Sequence, residues 1–142
     1  MRVSFCALAC LILPAGSTGA EEILVPAGGK TEWRYLDGRA APGEDWTTSG
    51  FDDSGWKKGK APLGYGKDGL GTIIRFGDDP ANKPLTAYFR KTFKVGPREK
   101  HDFAELGLLA TYDDGVAVYL NGKEVARGNL VAGKLTARTT AT

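Results

Sequence analysis

The chain runs to 142 residues, of which 42% are apolar, 10% aromatic and 25% charged, enough for one packed core and unlike a disordered or fibrous chain. Its 19 basic and 17 acidic side chains leave a formal charge of +2, and the basic residues are interspersed with acidic ones rather than gathered in a stripe. That distribution argues against nucleic acid as a partner.

The first element is an N-terminal leader. Met1-Arg2 gives a positive start, Val3 to Leu13 an apolar run, and Pro14 to Ala20 a tail of small residues before Glu21-Glu22, the order found in secretory signal peptides. Cleavage is expected after Ala20, with residues 1–20 the signal peptide and residues 21–142 a single module exported to the extracellular space or a periplasm. The apolar run falls short of the ~20 residues that a membrane-spanning helix needs and is broken by Pro14 and Gly16. Both cysteines, Cys6 and Cys10, lie in the leader, so the exported part has no thiol for a disulfide, a zinc site or thiol catalysis.

After the leader, Gly and Pro punctuate the chain about every eight to twelve residues and no helical periodicity is sustained, which is the spacing of an all-β fold. The expected strands are Ile23 to Val25, Glu32 to Leu36, Thr72 to Phe76, Leu85 to Val95, Ala104 to Tyr112, Gly115 to Leu120 and Lys123 to Arg127. Between Asp37 and Gly71 lies a long Gly-, Asp- and Lys-rich segment, within which Trp46 to Lys60 reads as an ordered excursion pinned by aromatics. Trp33 and Tyr35 share a parity and are expected to plug the core. In Leu85 to Val95, Lys91 shares the parity of Phe89 and Phe93, so a bulge or strand end is expected near it. Asn121-Gly122 is a strong two-residue hairpin signal, predicting that Leu120 faces Lys123, Tyr119 faces Glu124 and Val118 faces Val125. Asp113-Asp114-Gly115 reads as the turn before that hairpin, since adjacent carboxylates on a strand point to opposite faces rather than at one substrate atom.

No nucleophile elbow, phosphate-binding loop or zinc-helix motif occurs. The single His101 sits in a charged run and is expected to be solvated. Aromatics are the remaining machinery, because a sugar ring stacks its apolar face on Trp or Tyr while polar neighbours take its hydroxyls. Trp46 and Tyr65 are the candidate platforms, with Arg90, Asp113 and Asp114 as polar partners; no catalytic residue is assigned.

Ala61-Pro62-Leu63-Gly64-Tyr65-Gly66, Phe76-Gly77-Asp78, Thr86 to Phe93, Asp113-Asp114-Gly115 and Tyr119 to Val125 together resemble, in order and spacing, a galactose-binding-like β-sandwich module of secreted bacterial proteins. Phe51-Asp52-Asp53-Ser54-Gly55-Trp56 is similar to the FDDSxW element of related sugar-binding jelly rolls. The resemblance implies an all-β antiparallel sandwich of jelly-roll type, acting as an accessory beside other domains such as calcineurin-like metallophosphoesterases, lamin-tail-type domains and glycoside-related enzymes. Related sandwiches often hold a structural calcium, for which Asp52 and Asp53 are the candidate ligands; no other cofactor is expected. Such modules continue past the hairpin into further strands, whereas this sequence stops at Thr142. An unpaired edge open to association with another chain is therefore expected. Three readings follow: a non-catalytic module recognising a glycan or an adjacent enzyme domain, a structural or assembly domain with no glycan ligand, and the front end of a secreted hydrolase of metallophosphoesterase type.

Overall fold

The computed structural model of the chain describes residues 4–13, 22–29, 31–37, 40–79, 81–94 and 107–142. His101, the tail of the leader, the start of the expected strand Ala104 to Tyr112 and the end of Leu85 to Val95 lie outside the described residues. Among those residues every regular element is a strand: β1 (Ser4–Leu13), β2 (Glu22–Val25), β3 (Glu32–Leu36), β4 (Lys57–Lys60), β5 (Leu63–Gly64), β6 (Thr72–Ile73), β7 (Tyr88–Arg90), β8 (Gly107–Asp113), β9 (Val116–Leu120) and β10 (Lys123–Gly128). The fold is all-β, and no described helix is long and apolar enough to cross a membrane.

Among the described residues four small sheets form, ordered β2-β1-β8, β4-β3-β7, β10-β9 and β5-β6; all pair antiparallel except β5 with β6. The alternation in β3 works as its parity predicts: Tyr35 is 7% exposed and Trp33 packs against the same cluster. That cluster joins Tyr35, Ala61, Leu63, Tyr65 and Ile74, with Phe76, Ala87 and Phe89 against it. A carboxylate also enters this region. Asp37, 8% exposed, accepts from Lys57 Nζ at 2.8 Å and from the Arg75 amide at 2.9 Å, which offsets the desolvation of its charge.

Several elements differ from expectation, each for a local reason. β4, Lys57-Lys58-Gly59-Lys60, has no apolar alternation, yet it pairs with β3 along Glu32↔Lys60 to Tyr35↔Lys57. It is an edge strand in its sheet, and lysines are the residues that keep an edge from pairing further. The expected strand Leu85 to Val95 reduces to Tyr88–Arg90, because β3 offers only Arg34, Tyr35 and Leu36 as partners and Lys91 instead donates its ammonium to the Glu32 carbonyl at 2.9 Å. Thr72 to Phe76 reduces to two parallel residues plus the bond from the Ile74 amide to the Gly64 carbonyl, at 2.9 Å. Ser4–Leu13, read from sequence as part of a leader, is drawn into a sheet between β2 and β8.

The hairpin register holds for its first two pairs and then slips. Lys123 faces Leu120 and Glu124 faces Tyr119, but Ala126 rather than Val125 faces Val118. Val125 is an extra, bulged residue, 52% exposed, and the inward Val118–Val125 pair does not form.

Candidate functional site

A cleft of about 1380 Å³ opens between the β9-β10 hairpin and the β3-β7 face, reached also by β8 and by the segment around Trp46. Its lining is mainly apolar, including Trp33, Leu108, Val118 and Leu130, with Arg90, Asp114, Glu124 and Arg127 among the polar groups. The typical pocket for a drug-sized ligand is roughly 300–1,000 Å³, so this space suits a longer ligand such as a short chain of rings.

Aromatic packing builds one wall. The Trp46 ring meets Tyr88 edge-on at 5.2 Å and Tyr119 edge-on at 5.7 Å, and stacks against Trp56 at 6.4 Å between centroids. Phe51 packs edge-on against Trp56 at 5.8 Å. These arrangements are the offset and T-shaped geometries that ring quadrupoles favour.

Arg90 holds that wall in place. Its guanidinium donates to the carbonyls of Trp46 and Thr48, the latter at 3.1 Å, and its Nε lies 3.0 Å from Asp53 Oδ2. The guanidinium also lies 5.1 Å from the Phe51 ring centre. From the other side the Gly122 amide donates to the Thr47 carbonyl at 2.8 Å, tying the hairpin turn to the same segment. A single short strand, β7, thereby fixes an irregular loop through one planar five-donor group, a task suited to arginine and not to lysine.

The bulge at Val125 has a chemical consequence on β10. In an unbroken strand positions 124 and 127 point to opposite faces; the extra residue puts Glu124, Arg127 and Tyr119 on one face. Arg127 grips Glu124 with two bonds, Nε to Oε1 at 2.6 Å and Nη2 to Oε2 at 2.7 Å, and donates to the Val131 and Gly133 carbonyls. The bond from Arg127 holds the Glu124 carboxyl below its ordinary range. Burial first, and then the neighbouring Glu124 charge, push the Tyr119 phenol up. Burial likewise raises the Tyr88 phenol.

The five candidate ligand residues separate. Trp46, Arg90 and Asp114 come together on the cleft. Tyr65 does not: it is 9% exposed within the core, tilted against Phe76 at 5.1 Å, with the Lys83 ammonium 5.1 Å from its ring centre. Asp113 turns away to pair with Lys67, so the adjacent carboxylates diverge. Asp114 Oδ2 is buried with no hydrogen-bond partner among the described residues, while its backbone carbonyl accepts from Asn129 Nδ2 at 2.8 Å. An unsatisfied buried carboxylate oxygen is costly.

Asp52 and Asp53 also point to different tasks. Asp52 Oδ1 accepts the Ser54 amide at 2.9 Å, and that bond holds its carboxyl below the ordinary range. Both oxygens of Asp53 face arginines, Oδ1 at 3.1 Å from Arg34 and Oδ2 at 3.0 Å from Arg90. Among the described residues no group of three or more His, Cys, Asp or Glu side chains gathers as a metal site would require.

Sequence reasoning did not single out Tyr88, Glu124 or Arg127. The two charged residues lie three apart, and only the bulge, which alternation does not reveal, brings them together. Compared with known proteins, the chain matches no family model, no curated protein and no solved structure.

Proposed function

We propose that the chain is a secreted, non-catalytic recognition module of galactose-binding-like β-sandwich type, whose cleft takes a carbohydrate. The observation that carries this reading is the convergence of the Trp46, Tyr88 and Tyr119 rings with the unsatisfied Asp114 carboxylate on one cleft of about 1380 Å³. Rings offer apolar faces for the C–H side of a sugar, and the Asp114 residue lining the cleft offers acceptor groups beside them. The volume favours an oligosaccharide over a monosaccharide. As an accessory, the module would hold a neighbouring enzyme domain close to its substrate and thereby raise the effective concentration.

Screening the exported protein against an array of plant, microbial and animal glycans tests this. Saturable binding to a related group of oligosaccharides is expected. A silent array together with concentration-dependent self-association would favour an assembly domain instead.

A further inference from the structure

We infer that residues 130–141 form a hinged flap that opens and closes the aromatic cleft. The inference concerns access to the cleft and holds for whatever ligand enters it. The segment leaves and rejoins the hairpin at one place: Leu130 and Ala141 pair as an isolated antiparallel bridge, and the Thr142 amide donates to the Asn129 carbonyl at 3.0 Å. A loop with its two ends held together in this way is an Ω-loop, and its base is its hinge. Arg127 fastens the first arm to the hairpin through the Val131 and Gly133 carbonyls, the latter at 3.0 Å, and Gly133 then turns the chain at a φ of 97°, which favours glycine.

Beyond Gly133 the flap reaches the opposite wall. Leu135, Ala137, Thr139 and Ala141 line the cleft and are partly buried, whereas Arg138 is exposed and outside the lining. The tip lands at two points. Thr86, just ahead of β7, donates its hydroxyl to the Ala137 carbonyl at 3.1 Å, and the Lys134 ammonium lies 3.5 Å from Glu44, on the segment that carries Trp46.

The strengths of these contacts decide which part moves. At the hairpin turn the two walls are joined by a backbone bond, from the Gly122 amide to the Thr47 carbonyl at 2.8 Å, and by the contact of the Trp46 and Tyr119 rings. The flap tip is latched by one hydroxyl bond and by an ion pair whose side chains are 86% and 96% exposed, a pair that water and salt largely screen. A segment held by exposed contacts belongs to the least stable part of a fold and opens locally. Release of the tip leaves the Arg127–Glu124 clamp and the Leu130–Ala141 bridge in place, so the cleft gains a mouth while the hairpin stays folded.

The test places one thiol on the flap, in a Cys6→Ser, Cys10→Ser background, and follows its reaction with a methanethiosulfonate reagent. Ala137→Cys, beneath the closed tip, should react about tenfold more slowly than Arg138→Cys, because it waits for the tip to open. Adding Thr86→Val removes the hydroxyl bond and should speed the reaction of Ala137→Cys about fivefold. Lys134→Glu, which sets like charges against Glu44, should speed it further, and Arg138→Cys should react alike in every background. Replacing residues 132–139 with Gly-Gly should raise acrylamide quenching of the tryptophan fluorescence, since Trp33 and Trp46 line the cleft. Leu135→Cys takes the place of Ala137→Cys if that variant fails to fold, and the thiol rates decide alone if the shortened protein does. Equal reaction at positions 137 and 138, a rate at 137 indifferent to both Thr86→Val and Lys134→Glu, or unchanged quenching in a folded shortened protein overturns the proposal.

Discussion

Arg90 Nε and Asp53 Oδ2 meet at 3.0 Å across 37 residues of sequence, and Arg34 closes on the other oxygen of the same carboxylate. The Arg90 side chain is 12% exposed and that of Asp53 20%, so this is a half-buried ion triad and not a surface pair. It joins β3, β7 and the loop that carries Trp46.

Asp53→Ala should therefore destabilise the protein by roughly 1–3 kcal/mol, the cost of leaving a charged donor without its partner. Arg90→Lys should recover little of the Arg90→Ala loss, because an ammonium cannot reach Asp53 and two carbonyls at once. Urea unfolding of the three variants measures this.

Gly71 and Gly55 predict opposite outcomes for one substitution. A Cβ on Gly71 would lie 2.8 Å from the Lys60 carbonyl oxygen, part of the backbone, whereas one on Gly55 meets nothing within 4 Å. Gly71→Ala should cost about 1–3 kcal/mol through overpacking. Gly55→Ala should stay within about 0.5 kcal/mol of wild type. Thermal melts compare them directly.

The hairpin should respond to pH at both ends. Glu124 is held below its ordinary value of 4.5 by Arg127, so its stabilising bond is intact above that value and is lost as pH falls through the lowered folded value. Tyr119 is raised above 10.0, so its neutral form favours the folded state below pH 10.0, and that contribution is lost as pH rises through the folded value. Glu124→Gln should flatten the acid limb and reduce the alkaline limb without abolishing it, since burial, the larger cause of the Tyr119 shift, remains; melting temperature against pH reads both.

Chelation should leave stability unchanged. Both oxygens of Asp53 are committed to arginines, and Asp52 Oδ1 is taken by the Ser54 amide, so Asp53 does not join Asp52 as a second free ligand at this loop. Melting temperatures in EDTA and in excess calcium should coincide; a rise with calcium would restore Asp52 and Asp53 as ligands.

The sequence made β3 and the hairpin legible because their parity and their Asn-Gly turn are local signals. It concealed β4, whose lysines carry no alternation, and the bulge at Val125, which depends on how β10 docks and not on its own residues. The bulge hid the Glu124–Arg127 pair, and the short partner strand β3 trimmed Leu85 to Val95. Trp46, Arg90 and Asp114, candidates by their chemistry alone, share one cleft, whereas Tyr65, an aromatic like Trp46, lies in the core. Exposure of a single aromatic is a tertiary property, and its neighbours in sequence do not encode it.

Val125→Thr tests the bulge by itself: at an exposed, unpaired position it should change stability by less than about 0.5 kcal/mol. A loss of more than about 1 kcal/mol would restore the inward Val118–Val125 pairing, since that is the upper end of a cross-strand pair.

Carbohydrate binding in the aromatic cleft is tested by a tryptophan-fluorescence titration of the protein with neutral oligosaccharides, run beside Trp46→Ala and Asp114→Asn. A saturable change is expected for at least one oligosaccharide, lost in Trp46→Ala and weakened in Asp114→Asn while both variants remain folded. No saturable change with any oligosaccharide, or equal affinity in all three proteins, would contradict it.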